Sequence, residues 1–126
     1  ASMSSKTLEY SVFELIDAIM SRDRDRAFNV LRNLFVSKGV SSLSIIGALV
    51  WHYGQLYRVW ETPHMRPKDI HQRRFNELSK QSRYCKGDFF FKVFKALYEA
   101  EVTIKSSARE EVVLETLLVR LLESLG

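Results

Sequence analysis

Apolar residues recur along this chain at steps of three and four, and no stretch alternates with a period of two. The pattern predicts helices throughout. A first helix starts at Ser11, where "SVFE" has the form of a capping box: Ser11 as N-cap and Glu14 three residues on. Val12, Leu15, Ile16 and Ile19 form its stripe. Ser21 and the charged run "RDRDR" end it and open a second helix, with Ala27, Phe28, Leu31, Leu34 and Phe35 on one face. Gly39, after Lys38, supplies a natural stop. A third helix runs from Ser41 or Ser42 to about Glu61. Pro63 and Pro67 break it. A polar fourth helix follows over about 68–82, anchored by Ile70, Phe75 and Leu78. After Lys86-Gly87-Asp88, with Asp88 as a possible cap, come a fifth helix over about 88–106 and a leucine-dense sixth over about 108–124. The expectation is one all-α bundle of about five to six helices spanning 11–126, with residues 1–10 as a disordered scar or linker cut from a longer chain.

Two of these helices carry unusual positions. The third is apolar almost all round. Ile46, Val50, Tyr53 and Tyr57 line one side, and Ile45, Leu49, Leu56 and Trp60 widen it. Such a helix is expected to be central. Gly47 and Gly54 would permit close helix approach, and His52, Gln55 and Arg58 occupy the wetter side beside Trp51. In the fifth helix, Phe90, Val93, Phe94, Leu97 and Ile104 share a face, and Glu101 falls in the middle of it with Lys105 at its edge. A solvent-exposed Glu101–Lys105 pair need not sit mid-stripe. Glu101 is therefore expected either to bond a neighbouring helix and fix its register or to face another subunit.

Composition narrows the functional classes. The chain has 126 residues, enough for one domain with its own core, and 46% of them are hydrophobic. Its single cysteine, Cys85, excludes a disulfide framework and a cysteine-ligated zinc site, and is expected as a half-buried small side chain. The longest apolar stretch is interrupted by His52, Gln55 and Arg58, so no membrane span is expected. No phosphate-cradling glycine motif and no H-E-x-x-H occurs; His52, His64 and His71 lie in separate contexts. Asp23 with Asp25, and Glu110 with Glu111, sit at helix starts, where the helix dipole accounts for them. No metal, cofactor or small-molecule substrate is expected, and no catalytic constellation emerges.

The net charge of +4 is uneven, because residues 64–86 hold seven Lys+Arg against two acids. Arg66, Lys68, Arg73, Arg74, Lys80, Arg83 and Lys86 are the candidate DNA-facing residues. A stand-alone helical nucleic-acid-binding domain is thus an alternative reading, one whose affinity would fall steeply with salt.

"LYEAEVTIKSS" followed by "EEVVLETLLVRLLES" resembles the end of the delta subunit of the bacterial DNA polymerase III clamp loader: an acidic residue, three mostly apolar residues, a lysine, a short turn, then a Leu-rich helix with Glu and Arg. Glu101, Lys105, Glu115 and Arg120 match in type and spacing. The opening run from Val12 to Glu61 is similar to the family's first three helices, and Pro67 to the proline ahead of its fourth. The segment 62–88 is more basic and polar than the family's pattern. The resemblance covers about residues 12–124 and implies the collar domain, a non-catalytic cytoplasmic module that packs beside the corresponding domains of gamma/tau-type and delta-prime-type subunits in DNA replication, with possible DNA contact of the whole assembly. The ATPase-type and clamp-opening regions of such subunits lie outside the part it resembles. Trp51, Arg58, Glu101, Lys105 and Arg120 are then the candidate residues for subunit contact or register, since aromatics and arginine favour interfaces. Trp51 and Trp60 are equally compatible with plain core positions.

Overall fold

A computed structural model describes residues 5–106 and 109–126. Within them the chain forms six α-helices and one π-helical turn, with no strand. The elements are α1 (Ser5–Met20), α2 (Arg24–Arg32) running into the π turn (Asn33–Ser37), α3 (Ser42–Glu61), α4 (Gln72–Ser82), α5 (Phe89–Ser106) and α6 (Glu110–Glu123). The all-α bundle expected from the periodicity is the observed fold.

The first helix corrects the reading of Ser11. It begins at Ser5, so Ser11 lies inside it and caps nothing. Leu8 continues the stripe of Val12, Leu15, Ile16 and Ile19 by one more turn and packs against the core. Residues 5–10 are therefore helical and no linker; residues 1–4 of the expected linker lie outside the described residues. Glu14 faces Arg26, 3.8 Å away. That arginine also donates to Asp17 at 3.0 Å, joining α2 to α1. The reversal between them is tight. Asp23 caps α2 by accepting from the Arg26 backbone N–H, and Arg22 adopts a left-handed φ of 61°. Its guanidinium reaches the far end of the chain, donating to the carbonyls of Leu125 at 2.7 Å and Gly126 at 3.0 Å.

At the end of α2 the helix widens by one residue, with Lys38 N–H donating to the Asn33 carbonyl. Gly39, at φ 63°, then stops it, as its position predicted. Ser41 caps α3 by accepting from Ser44 N–H. The adjacent Ser42 is buried and donates to the Glu110 carboxylate, tying the first turn of α3 to the first turn of α6.

α3 is the hub, packed against α1, α4, α5 and α6. Its buried residues are Ile45, Ile46, Leu49, His52, Tyr53, Leu56 and Val59, together with Ser42. They meet Leu15, Leu97, Leu114 and Leu121 in one continuous core. Burying a leucine or isoleucine side chain contributes about 2 kcal/mol of transfer free energy, so this shared interior is what holds the six helices in place. α4 is shorter than the sequence suggests. Residues 66–70 are used instead for a turn in which Ile70 plugs the core and Arg66 donates to the Ile70 carbonyl at 2.7 Å. His71 starts the helix, its Nδ1 accepting from Arg73 N–H.

Candidate interaction surface

The two sides of α3 differ in kind. Two expectations for α3 fail, one on each side. His52, placed by its polarity on the wet side, is 2% exposed. α4 lies over it, and the Arg74 guanidinium approaches its Nδ1 at 3.3 Å. A guanidinium only donates, so Nδ1 accepts and the ring proton resides on Nε2. Burial first, and the Arg74 cation second, hold the His52 pKa down at about 4. Arg74 itself is stacked on Phe13, 4.8 Å from the ring centroid, and stands 5.8 Å from that of Trp51. Among the described residues, His52 Nε2, Tyr53 Oη and the Gln81 side-chain amide are buried without a hydrogen-bond partner. The second failure is the glycines. A Cβ placed on Gly47 or Gly54 would meet nothing within 4 Å, so no helix of this domain approaches there.

The outer side of α3 is apolar and exposed. Leu43 is 45% exposed, Val50 43%, Trp51 47% and Tyr57 38%. Between Ser42 and Tyr57 the helix carries no Asp, Glu, Lys or Arg. Tyr57 packs edge-on against Phe90 of α5 at 5.1 Å, and α5 carries exposed apolar residues of its own in Phe91, Tyr98 and Val102. Phe91, Tyr98 and Val102 escape a reading that looks only for the buried stripe; the signal that finds them is a second apolar row on the side of the helix nearly opposite the buried face.

The candidate interface residues are distributed over this scaffold. Trp51 lies on the outer face of α3. Arg58 is committed inside the domain: both its outer nitrogens donate to Asp69 at 2.9 Å, and one also to Gln55 at 3.2 Å. That bond raises the pKa of Arg58 and lowers that of Asp69. Glu101 is exposed rather than mid-stripe, and its observed partner is Lys105 at 3.8 Å. The buried face of α5 is turned toward Ala96 and Ala100, because small residues there let α6 pack closely. The bond to a neighbouring helix expected of Glu101 is made instead by Glu99, which accepts from Arg120 of α6 at 2.9 Å. Trp60 is no core residue; its Nε1–H donates to the Cys85 carbonyl at 2.9 Å and its ring lies 5.2 Å from that of Phe90. Cys85 is more buried than expected, at 4% exposure, and burial pushes its thiol up to about 12. That places it among inert structural cysteines.

The basic segment is divided. Arg66 and Arg74 are bonded or stacked within the domain. Lys68, Arg73, Lys80, Arg83 and Lys86 are exposed. On α4, Glu77 lies one turn from both Arg73 and Lys80, which dilutes the positive stretch. Among the described residues no cluster of His, Cys, Asp and Glu could hold a metal ion, and no helix is long and apolar enough to cross a membrane.

These features define an all-α domain that exposes one uncharged, partly aromatic helix face, the outer side of α3. The chain matches the family model of the DNA polymerase III delta subunit, C-terminal domain, over residues 9–121. It belongs to that family. No curated protein and no solved structure gives a match.

Proposed function

We propose that this chain is a non-catalytic assembly domain of a delta-type clamp-loader subunit, acting in the bacterial cytoplasm during DNA replication by packing against the helical domains of gamma/tau-type and delta-prime-type subunits. Family membership over residues 9–121 supports the delta-type assignment. The observation that carries the packing role is the exposure of aromatic residues on α3 and on α5: Trp51, Tyr57, Phe91 and Tyr98 are each more than a third exposed. Large exposed aromatics are costly on a surface that meets only water, and they are the residue types that anchor subunit contacts. The polar network beneath them positions the surface. Arg74 braces Trp51 from below, and Trp60 fastens the end of α3 to the turn before α5.

The test is light-scattering chromatography of this chain mixed with the C-terminal domains of the other loader subunits from the same organism. A defined hetero-complex that Tyr98→Glu weakens, with helical circular dichroism unchanged, is the expected result. Free chain in every mixture, under conditions where the intact subunits assemble, overturns the proposal.

A further inference from the structure

α4 is the helix least committed to the bundle. Of its eleven residues two are buried, Leu78 and Gln81, and one of those is an amide. α5 buries seven of its eighteen, all apolar. Among the described residues α4 packs extensively against α3 and no other helix. Toward α1 it extends Arg74, stacked on Phe13. Irregular segments, 62–71 and 83–88, join it to α3 and α5. Both are fastened to the last turn of α3: Arg58 donates to Asp69, and Trp60 to the Cys85 carbonyl. α4 is thus held at its two feet by one end of α3. Beneath its middle lies a polar interior that does not close on itself. Nε2 of His52 turns toward the Gln81 side chain. Yet that nitrogen, both polar atoms of the Gln81 amide and Tyr53 Oη are all buried without a hydrogen bond. Cys85 borders the cluster, its thiol donating to the Gln81 carbonyl at 3.6 Å.

We propose that residues 70–84 are a flap that opens on the folded domain, hinged at its two ties to the end of α3, while the other five helices stay packed. A buried polar atom without a partner has given up its bonds to water for nothing. When α4 lifts, these atoms regain water, and that gain offsets the lost burial of Ile70 and Leu78. The balance is particular to this helix. Lifting α5 or α6 would expose buried side chains that are all apolar. The closed flap covers the inner side of α3 and keeps reagents from Cys85; the open flap uncovers His52, Tyr53 and that thiol. Arg74 is carried on the flap and stands beneath Trp51. Opening therefore also withdraws the brace from the outer face of α3, which has its full support only while the flap is shut.

The flap does not depend on the loader assignment, and its test uses the chain alone. Hydrogen exchange reads the amides of α4, and reaction with dithiobis(nitrobenzoate) reads the Cys85 thiol. Both are followed across urea concentrations below the unfolding transition. A local opening exposes little surface, so its dependence on urea is shallow, whereas that of global unfolding is steep. The α4 amides should be at least about tenfold less protected than those of Leu117 and Leu118 in α6, with a shallow urea dependence that Cys85 labelling shares. Gln81→Met keeps the length of the side chain and removes the amide; Tyr53→Phe removes the hydroxyl alone. Each should slow α4 exchange and Cys85 labelling by about tenfold, with circular dichroism unchanged. If α4 exchange or Cys85 labelling follows the steep urea dependence of α6, the helix leaves only with the whole fold and the proposal is overturned. A shallow route that neither substitution slows overturns it as well, since the unpaired atoms would then not be what opens the flap.

Discussion

The inner and outer sides of α3 are built from the same kinds of residue and are held to opposite standards. On the inner side Ile45, Leu49, Tyr53 and Leu56 are at most 2% exposed, and even polar His52 is enclosed by Phe13, Tyr53 and Arg74. On the outer side Leu43, Val50, Trp51 and Tyr57 are just as apolar and stand in the open. Hydrophobicity alone therefore does not tell inside from outside here. What separates the two is volume: the inner side is filled, and the outer side is notched by Gly47 and Gly54.

The largest contrast should come from truncating one residue on each side. Leu49→Ala should destabilise the domain by about 3 kcal/mol, from lost transfer free energy and the cavity left behind. Val50→Ala, one residue on, should stay within about 0.5 kcal/mol. Urea denaturation of both variants at low concentration measures the difference, and equal losses would erase the distinction between the two sides.

The buried imidazole gives the inner side a pH signature. His52 titrates at about 4 in the folded domain against 6.5 ordinarily. The unfolded chain thus binds more protons between those values, and stability falls as pH drops through that window. It is fully present above 6.5. The slope is about 1.4 kcal/mol per pH unit and the total about 3 kcal/mol. The charged group facing the ring is Arg74 of α4, itself under the influence of Glu9 of α1. Denaturation midpoints measured from pH 7 to 4 should decline less for His52→Leu than for the parent, the difference isolating this ring from the carboxylates.

Smaller effects of opposite sign belong to the outer side. Gly47→Ala and Gly54→Ala should each stabilise the isolated monomer by about 1 kcal/mol, because helix propensity rises and the added methyl meets nothing. The same substitutions should weaken the packing of any partner helix on this face. Stability and association moving together would break the argument that the glycines serve a contact outside the domain. Smallest is Glu101→Ala, which removes an exposed pair worth a few tenths of a kcal/mol; a loss above 1 kcal/mol in thermal unfolding would restore the structural role first assigned to Glu101.

The helices were legible because every one of them buries a face, and burial imposes the three-and-four spacing. Legibility stopped where a residue's neighbours come from distant sequence. Ser11 and Glu14 satisfy the capping pattern, but Leu8 adds a turn before them and the cap is never needed. His52 looked wet because the helical wheel contains no α4. Glu101 looked central because phenylalanine outweighs alanine on a wheel, whereas close packing against α6 favours Ala96 and Ala100. Of the candidate site, Trp51 stands on the outward face, while Arg58 is committed to Asp69. The row of α3 was visible in the sequence as residues but not as a surface. Its exposure depends on which sides of the helix the rest of the domain leaves bare.

The contact between Arg22 and the end of the chain bears on the order of events in folding. It closes a loop of 103 residues for two hydrogen bonds, and it holds a non-glycine residue in a left-handed turn. Local hairpins such as α1 with α2, or α5 with α6, can form long before so distant a pair meets. The clasp is then absent from the transition state and acts only on the way out. Arg22→Ala should leave the refolding rate unchanged and quicken unfolding, making this arginine a latch on the lifetime of the fold rather than a guide to its formation.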